Sequence, residues 1–108
     1  MSNLFIDLST KVAETVFRLK DVSPYTDLRY SVNYNPSTTP YWEKQNILVR
    51  AESDGGSTLW YQCYYIPKPE RIFSVNNLGE ALDNPSISLT IDQVVAEIEE
   101  KFGPKTES

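Results

Sequence analysis

Histidine is absent from this chain of 108 residues. Its absence removes the commonest general base, the serine–histidine and cysteine–histidine catalytic pairs, and every zinc site that depends on imidazole. Only four glycines are present. Neither the phosphate-binding loop of nucleotide-binding proteins nor the G-x-G-x-x-G pattern occurs, and no segment supplies an EF-hand calcium loop. The sequence therefore predicts a protein with no cofactor, no metal site and no catalytic activity.

Cysteine is nearly absent, since Cys63 is the only one. A single thiol cannot form a disulfide within the chain, which fits a reducing compartment. The first residues carry no basic stretch, and Asp7 interrupts the apolar residues early, so we expect no signal peptide. No apolar run approaches the roughly 18–20 residues that a membrane span needs. These features favour a cytoplasmic protein without a membrane partner.

Positive charge is scarce, because 15 acidic residues outnumber 10 basic ones and leave a net charge of −5. The basic residues are scattered and form no stripe, so direct binding to nucleic acid is disfavoured. An acidic balance often reflects solubility alone. Its more specific interpretation is an acidic inhibitor, or nucleic-acid mimic, that blocks a basic site on a nucleic-acid-handling protein. A small carboxylate-based enzyme is a third hypothesis, because a sequence does not show how far apart two carboxylates lie.

Apolar residues recur at helical spacing near both ends of the chain. At the C-terminal end the pattern predicts a helix over residues 91–102, with a capping box formed by Thr90 and Gln93. Gly103 stands where a helix commonly ends, and Glu97 and Lys101 are expected to pair on the solvent side. At the N-terminal end a second helix is predicted from an apolar stripe made of Leu4, Leu8, Val12, Val16 and Leu19.

Strand patterns fill the middle of the chain, over residues 28–34, 45–52 and 58–66. A glycine-containing turn at 53–57 predicts a hairpin between the last two. A short fourth strand at 71–75 and one helical turn at 78–82 are also indicated. The order α-β-β-β-(β)-α predicts an α+β fold, with an antiparallel three- to four-stranded sheet and the N- and C-terminal helices packed on one face. We expect one domain over residues 1–103 and a flexible tail at 104–108. This order and the acidity resemble those of small secretion chaperones and of phage or immunity-type binding proteins, a likeness that implies no particular activity.

The third predicted strand is unusual, because Leu59–Ile66 contains four aromatic residues and the only cysteine. Side chains alternate along a strand, so one face carries Tyr61, Cys63 and Tyr65, and the other carries Trp60, Gln62 and Tyr64. If Gly55-Gly56 forms a two-residue turn, the Trp60 face meets the apolar side of the second strand. A change of one residue in register would exchange the two faces.

Aromatic residues exceed what a core of this size needs, with seven tyrosines and two tryptophans. Tyrosine and tryptophan are enriched at the energetic centres of protein interfaces. The sequence therefore predicts a small soluble binding or regulatory module that acts through an aromatic sheet face, on a partner protein or by self-association. With the Trp60 face turned to the core, the residues expected to contact the partner are Tyr61, Tyr65 and Arg50, and Tyr41 and Trp42 in the loop before the second strand.

Overall fold

The computed structural model describes residues 4–34, 45–67 and 70–104. They form a four-stranded antiparallel sheet in the order β1-β2-β3-β4 with three helices. The elements in chain order are α1 (Leu4–Leu19), β1 (Thr26–Tyr34), β2 (Gln45–Glu52), β3 (Thr58–Pro67), β4 (Glu70–Ser74), α2 (Leu78–Asp83) and α3 (Ile91–Phe102). The predicted α+β class and element order are confirmed, and so are the fourth strand and the short helix. Most of the predicted tail lies outside the described residues.

The two terminal helices pack on the same face of the sheet and enclose the main core. Phe5 on α1 contacts Tyr65 on β3, with ring centroids 5.3 Å apart. The fully buried side chains of this core come from both helices and from β2, β3 and β4: Leu8, Val12, Val16, Ile47, Val49, Tyr61, Ile72, Val94, Ile98 and Phe102. Burying an apolar side chain of this size stabilises a fold by about 1.5–3 kcal/mol, so this layer is the main source of stability.

Helix α3 begins and ends as its sequence predicts. The Thr90 hydroxyl accepts a hydrogen bond from the Gln93 amide, and the Gln93 side chain accepts one from the Thr90 amide, which completes the capping box. At the other end Gly103 is extended, with φ −76° and ψ 175°. Glycine is favoured there by space rather than by a left-handed backbone, because a Cβ atom would lie 2.5 Å from the Glu99 carbonyl oxygen.

Helix α2 lies on the opposite face of the sheet and covers only its β3–β4 side. A second apolar cluster there joins Tyr64, Phe73 and Ala81. The guanidinium of the buried Arg71 holds the helix in place by donating hydrogen bonds to three backbone carbonyls, those of Ala81, Asn84 and Ile87. Within residues 4–34, 45–67 and 70–104, no helix covers the same face over β1, β2 and the beginning of β3.

The hairpin between β2 and β3 closes one residue away from the expected register. Ser53 N–H donates to the Ser57 carbonyl, and Gly56 N–H donates to the Ser53 carbonyl. Gly56 has a φ of 84°, as in three-residue loops that end in a left-handed residue. Val49 is therefore opposite Tyr61, and Ile47 is opposite Cys63. The prediction of a two-residue turn was therefore wrong. The register of the hairpin is shifted by one residue, and the two faces of β3 are exchanged.

Candidate binding face of the sheet

The beginning of the third strand presents to solvent the face that the sequence assigned to the core, whereas Tyr64, further along that face, is buried under α2. Tyr61, Cys63 and Tyr65 are all buried beneath the terminal helices, whereas Trp60 is 48% exposed. The expectation that Tyr61 and Tyr65 face outward was therefore wrong. The error comes from the hairpin register, because the three-residue loop places the Tyr61 face on the same side of the sheet as Ile47 and Val49.

Tyr61 is tied to helix α3 through a carboxylate. Its hydroxyl donates a 2.6 Å hydrogen bond to Glu97 Oε1, and the Ser74 hydroxyl donates a 2.8 Å bond to the same oxygen. Burial and the bond to Glu97 both raise the pKa of the Tyr61 phenol. Glu97 was predicted to pair with Lys101 on the solvent side, which was wrong, since it is half-buried and turned to the sheet.

The other two members of the buried face also have defined environments. The Tyr65 hydroxyl donates a 2.7 Å hydrogen bond to Glu70 Oε2. Burial, with a smaller contribution from the negative charge of Glu97, raises the pKa of the Cys63 thiol from 9.0 to about 12. Since the thiolate is the reactive form, Cys63 is inert at neutral pH.

Six residues on three strands form the part of the opposite face that we call the open face; the exposed Glu52 and Thr58 adjoin it at the hairpin end, and Asn33 adjoins it at the other end. The strand register arranges the six residues in two rows across the sheet: Arg29, Arg50 and Trp60 in the first, and Ser31, Leu48 and Gln62 in the second. Each row has one member from β1, one from β2 and one from β3. The open face is therefore a continuous surface on rigid strands rather than a set of loops.

Two arginines stand directly opposite each other in the first row, Arg29 on β1 and Arg50 on β2. The guanidinium of Arg29 lies 3.7 Å from the Asp27 carboxylate, and both side chains are about half-exposed. Within the described residues the guanidinium of Arg50 has no hydrogen bond or ion pair, although Glu52 lies beside it in a depression that both arginines line. A depression of about 300 Å³ lies over this part of the sheet, lined by Arg29, Tyr30, Ser31, Leu48 and Arg50.

A hydrogen-bonded series of amides borders the open face. Asn33 Nδ2 and Gln62 Nε2 both donate to Asn46 Oδ1, at 3.2 and 2.8 Å. The Tyr64 hydroxyl donates to Gln62 Oε1 at 3.1 Å. This series crosses β1, β2 and β3 and fixes the side chains beside the two rows. The sequence shows these residues at alternating strand positions, but only the register brings them together.

Of the residues predicted to contact a partner, Arg50 is the one that lies on the open face. Tyr61 and Tyr65 lie in the core, and Tyr41 and Trp42 lie outside the described residues. Trp60 and Arg29 also lie on the open face, but they were not among the residues predicted from the sequence. Among the described residues no group of three or more metal-ligating side chains could hold an ion. In the same part of the chain, no helix has the length and apolar character that a membrane crossing requires.

Comparison of this chain with protein-family models, with curated proteins and with solved structures found no match.

Proposed function

We propose that this protein is a non-catalytic binding module whose open face binds an acidic segment of a partner protein. The observation that supports the proposal best is the first row of that face, where two arginines and an exposed tryptophan lie side by side on rigid strands. Tryptophan, tyrosine and arginine are the residues most enriched at interface hot spots.

The two arginines favour a negatively charged partner. Like charges directly opposite each other on neighbouring strands destabilise a sheet, so the Arg29–Arg50 pair has an unfavourable interaction that an anion between the two side chains would relieve. Carboxylates suit this role, because guanidinium and carboxylate groups form paired hydrogen bonds. Asp27 and Glu52 line one depression with both arginines. An acidic segment would therefore contact the guanidinium groups from the other side, over Ser31 and Leu48, where the lining has no carboxylate.

Trp60 and Leu48 add an apolar contact beside the charges. Trp60 is directly opposite Arg50, and Leu48 lies in the next row. Leu48 is partly buried, so the half-exposed Trp60 provides most of the apolar surface next to the arginines. A partner segment that combines carboxylates with one large apolar side chain would satisfy both parts of the open face.

Peptide display against the purified protein tests the proposal. We expect selected peptides to be enriched in Asp and Glu around an apolar residue. Affinity should fall with added salt, because exposed charge pairs are screened. Arg50→Glu and Trp60→Ala should each weaken binding of a selected peptide by about tenfold or more, which corresponds to about 1.4 kcal/mol.

Leu82→Ala is the matched control, since Leu82 is an apolar side chain as exposed as Trp60 but located on α2. Its affinity for the same peptide should equal that of the original protein. Selection of basic or uncharged peptides, or equal loss of affinity in the control, would contradict the proposal.

A further inference from the structure

The two edges of the sheet differ in the hydrogen bonding of their backbone groups. At the β4 edge, Ile72 N–H donates to the Ser88 hydroxyl, the Ile72 carbonyl accepts from Leu89 N–H, and Ser74 N–H donates to Asn77 Oδ1. The segment after α2 therefore occupies that edge. At the β1 edge, no backbone group of residues 26–33 has a hydrogen-bond partner beyond β2 within the described chain. The strand is irregular between Thr26 and Arg29, where Asp27 has a φ of 56°, and it pairs regularly with β2 from Arg29 onward. The regular part of this edge is a template for pairing with another strand.

Apolar side chains accompany the open edge on the helix side of the sheet. Tyr30 and Val32 are opposite the fully buried Val49 and Ile47 of β2. Even so, they remain 43% and 40% exposed. On this side of the sheet, the helices cover β2 completely and the edge strand β1 only in part. Another strand along β1 would complete the burial of both side chains.

Helix α1 carries a second exposed apolar stripe, which lies on the same side of the molecule. Ile6 is 57% exposed and Phe17 is 77% exposed, and their separation of eleven residues puts them on one line along the helix. Arg18 extends from the other side of α1 to Glu99 on α3, at 2.6 Å, which places α3 there. With 3.6 residues per turn, the Ile6–Phe17 line lies about 135° around α1 from its buried stripe. Since α1 contacts both β1 and α3, the stripe faces away from α3 and obliquely outward above the β1 edge.

We infer that the chain forms a homodimer in which β1 pairs with β1 of a second copy about a two-fold axis at Ser31. In this antiparallel register Tyr30 meets the partner's Val32, an aromatic–β-branched pair that stabilises sheets. Arg29 meets the partner's Asn33, so no like charges stand opposite each other. The two four-stranded sheets then continue across the axis.

The helix layer explains why the occupant is a second copy rather than an extended peptide. Facing residues of an antiparallel pair lie on the same side of the sheet, so both copies of α1 come to the same side, with their Ile6–Phe17 stripes turned toward each other. The positions between Ile6 and Phe17 on that line are Thr10 and Ala13, and none of the four is charged. A peptide strand would cover the β1 edge and leave the helix stripe in water, whereas a second copy covers both. A two-fold interface requires such self-complementarity.

Sedimentation equilibrium over a range of protein concentrations tests the inference, with Val32→Lys and Phe17→Lys as variants. Lysine on an edge strand opposes pairing, and both side chains are already exposed, so the fold should persist by circular dichroism. We expect a dimer of the original chain, and a dissociation constant raised about tenfold or more by each variant. Leu82→Lys is the control, since Leu82 is exposed and apolar but lies on α2. Its dimer should have the same dissociation constant as that of the original chain.

Hydrogen exchange locates the contact. In the dimer, amides of residues 28–33 should exchange more slowly at high protein concentration than at low concentration, and this difference should vanish in Phe17→Lys. Three results would each overturn the inference: a monomer at about 1 mM, a dimer with unchanged exchange in β1, or a dissociation constant of Leu82→Lys that rises as much as those of Val32→Lys and Phe17→Lys. The inference does not depend on the proposed partner, because Trp60→Ala should leave the dimer intact.

Discussion

The hydroxyl of Tyr61 is the polar group whose removal tests the packing of α3 on the sheet most directly. The substitution Tyr61→Phe keeps the ring in the core and deletes only the donor of the 2.6 Å hydrogen bond to Glu97. Glu97 Oε1 retains the bond from Ser74. Because Phe has the same shape, the substitution creates no cavity, and the change in stability reports the hydrogen bond alone.

The size of the effect follows from the environment of the two groups. Hydrogen bonds to charged groups contribute about 1.5–3 kcal/mol. Glu97 is half-buried and keeps one partner, so we expect a loss of about 1.5–2 kcal/mol in the free energy of unfolding, near the lower end of that range. For a domain of this length such a loss lowers the melting temperature by roughly 6–10 °C.

Urea unfolding of Tyr61→Phe and of Tyr65→Phe measures the difference. Tyr65 is also buried and its hydroxyl also donates to a carboxylate, but that carboxylate belongs to the exposed Glu70. Water can replace the lost donor there, so Tyr65→Phe should cost only about 0.5 kcal/mol. Equal losses for the two variants would refute the reasoning that burial of the Tyr61–Glu97 bond under α3 sets its strength.

Four further outcomes are expected from the structure. Cys63 should not react with Ellman's reagent at pH 8 until the chain is unfolded. The native pKa of Cys63, about 12, lies above the ordinary 9.0, so between these values the native state keeps a proton that the unfolded state loses. The free energy of unfolding should therefore fall above pH 9, by up to about 1.4 kcal/mol per pH unit from this group. It should fall less steeply in Cys63→Ala. Arg71→Met should lower the free energy of unfolding by about 2 kcal/mol, since three carbonyls lose a charged donor, and calorimetry checks this. Gly103→Ala should cost about 1–3 kcal/mol through the clash with the Glu99 carbonyl, whereas Gly79→Ala, with no atom near its Cβ position, should cost nothing comparable in the same assay.

Elements whose local signals agreed could be predicted from the sequence. The second strand, Gln45–Glu52, and the last helix, Ile91–Phe102, have the predicted bounds. In the helix, capping, apolar spacing and the final glycine all point to the same limits. The role of Glu97 could not be predicted this way, because helical spacing places it on the flank of α3 away from the apolar stripe. Only the position of β3 shows that two hydroxyls lie within its reach.

The orientation of β3 could not be predicted, because its two faces are chemically alike. One offers Tyr61, Cys63 and Tyr65, and the other offers Trp60, Gln62 and Tyr64, so alternation alone gives no preference. The decision depends on whether the hairpin loop has two residues or three, and therefore on the backbone of Gly56. An error of one residue there moved every candidate on the strand to the wrong face, and with them the predicted site.

The two surfaces argued from the structure share one strand but should separate experimentally. Arg29 belongs to the open face and to the strand that meets the second copy, so dimer formation would join the open faces of the two copies into one surface, with the partner's Asn33 beside Arg29. Trp60 lies two strands away from the axis. Trp60→Ala should therefore remove peptide binding and leave the dimer intact, whereas Phe17→Lys, on the helix side, should dissociate the dimer and leave each open face able to bind. The opposite pattern would mean that the aromatic face is itself the dimer interface, as a surface for self-association rather than for a partner.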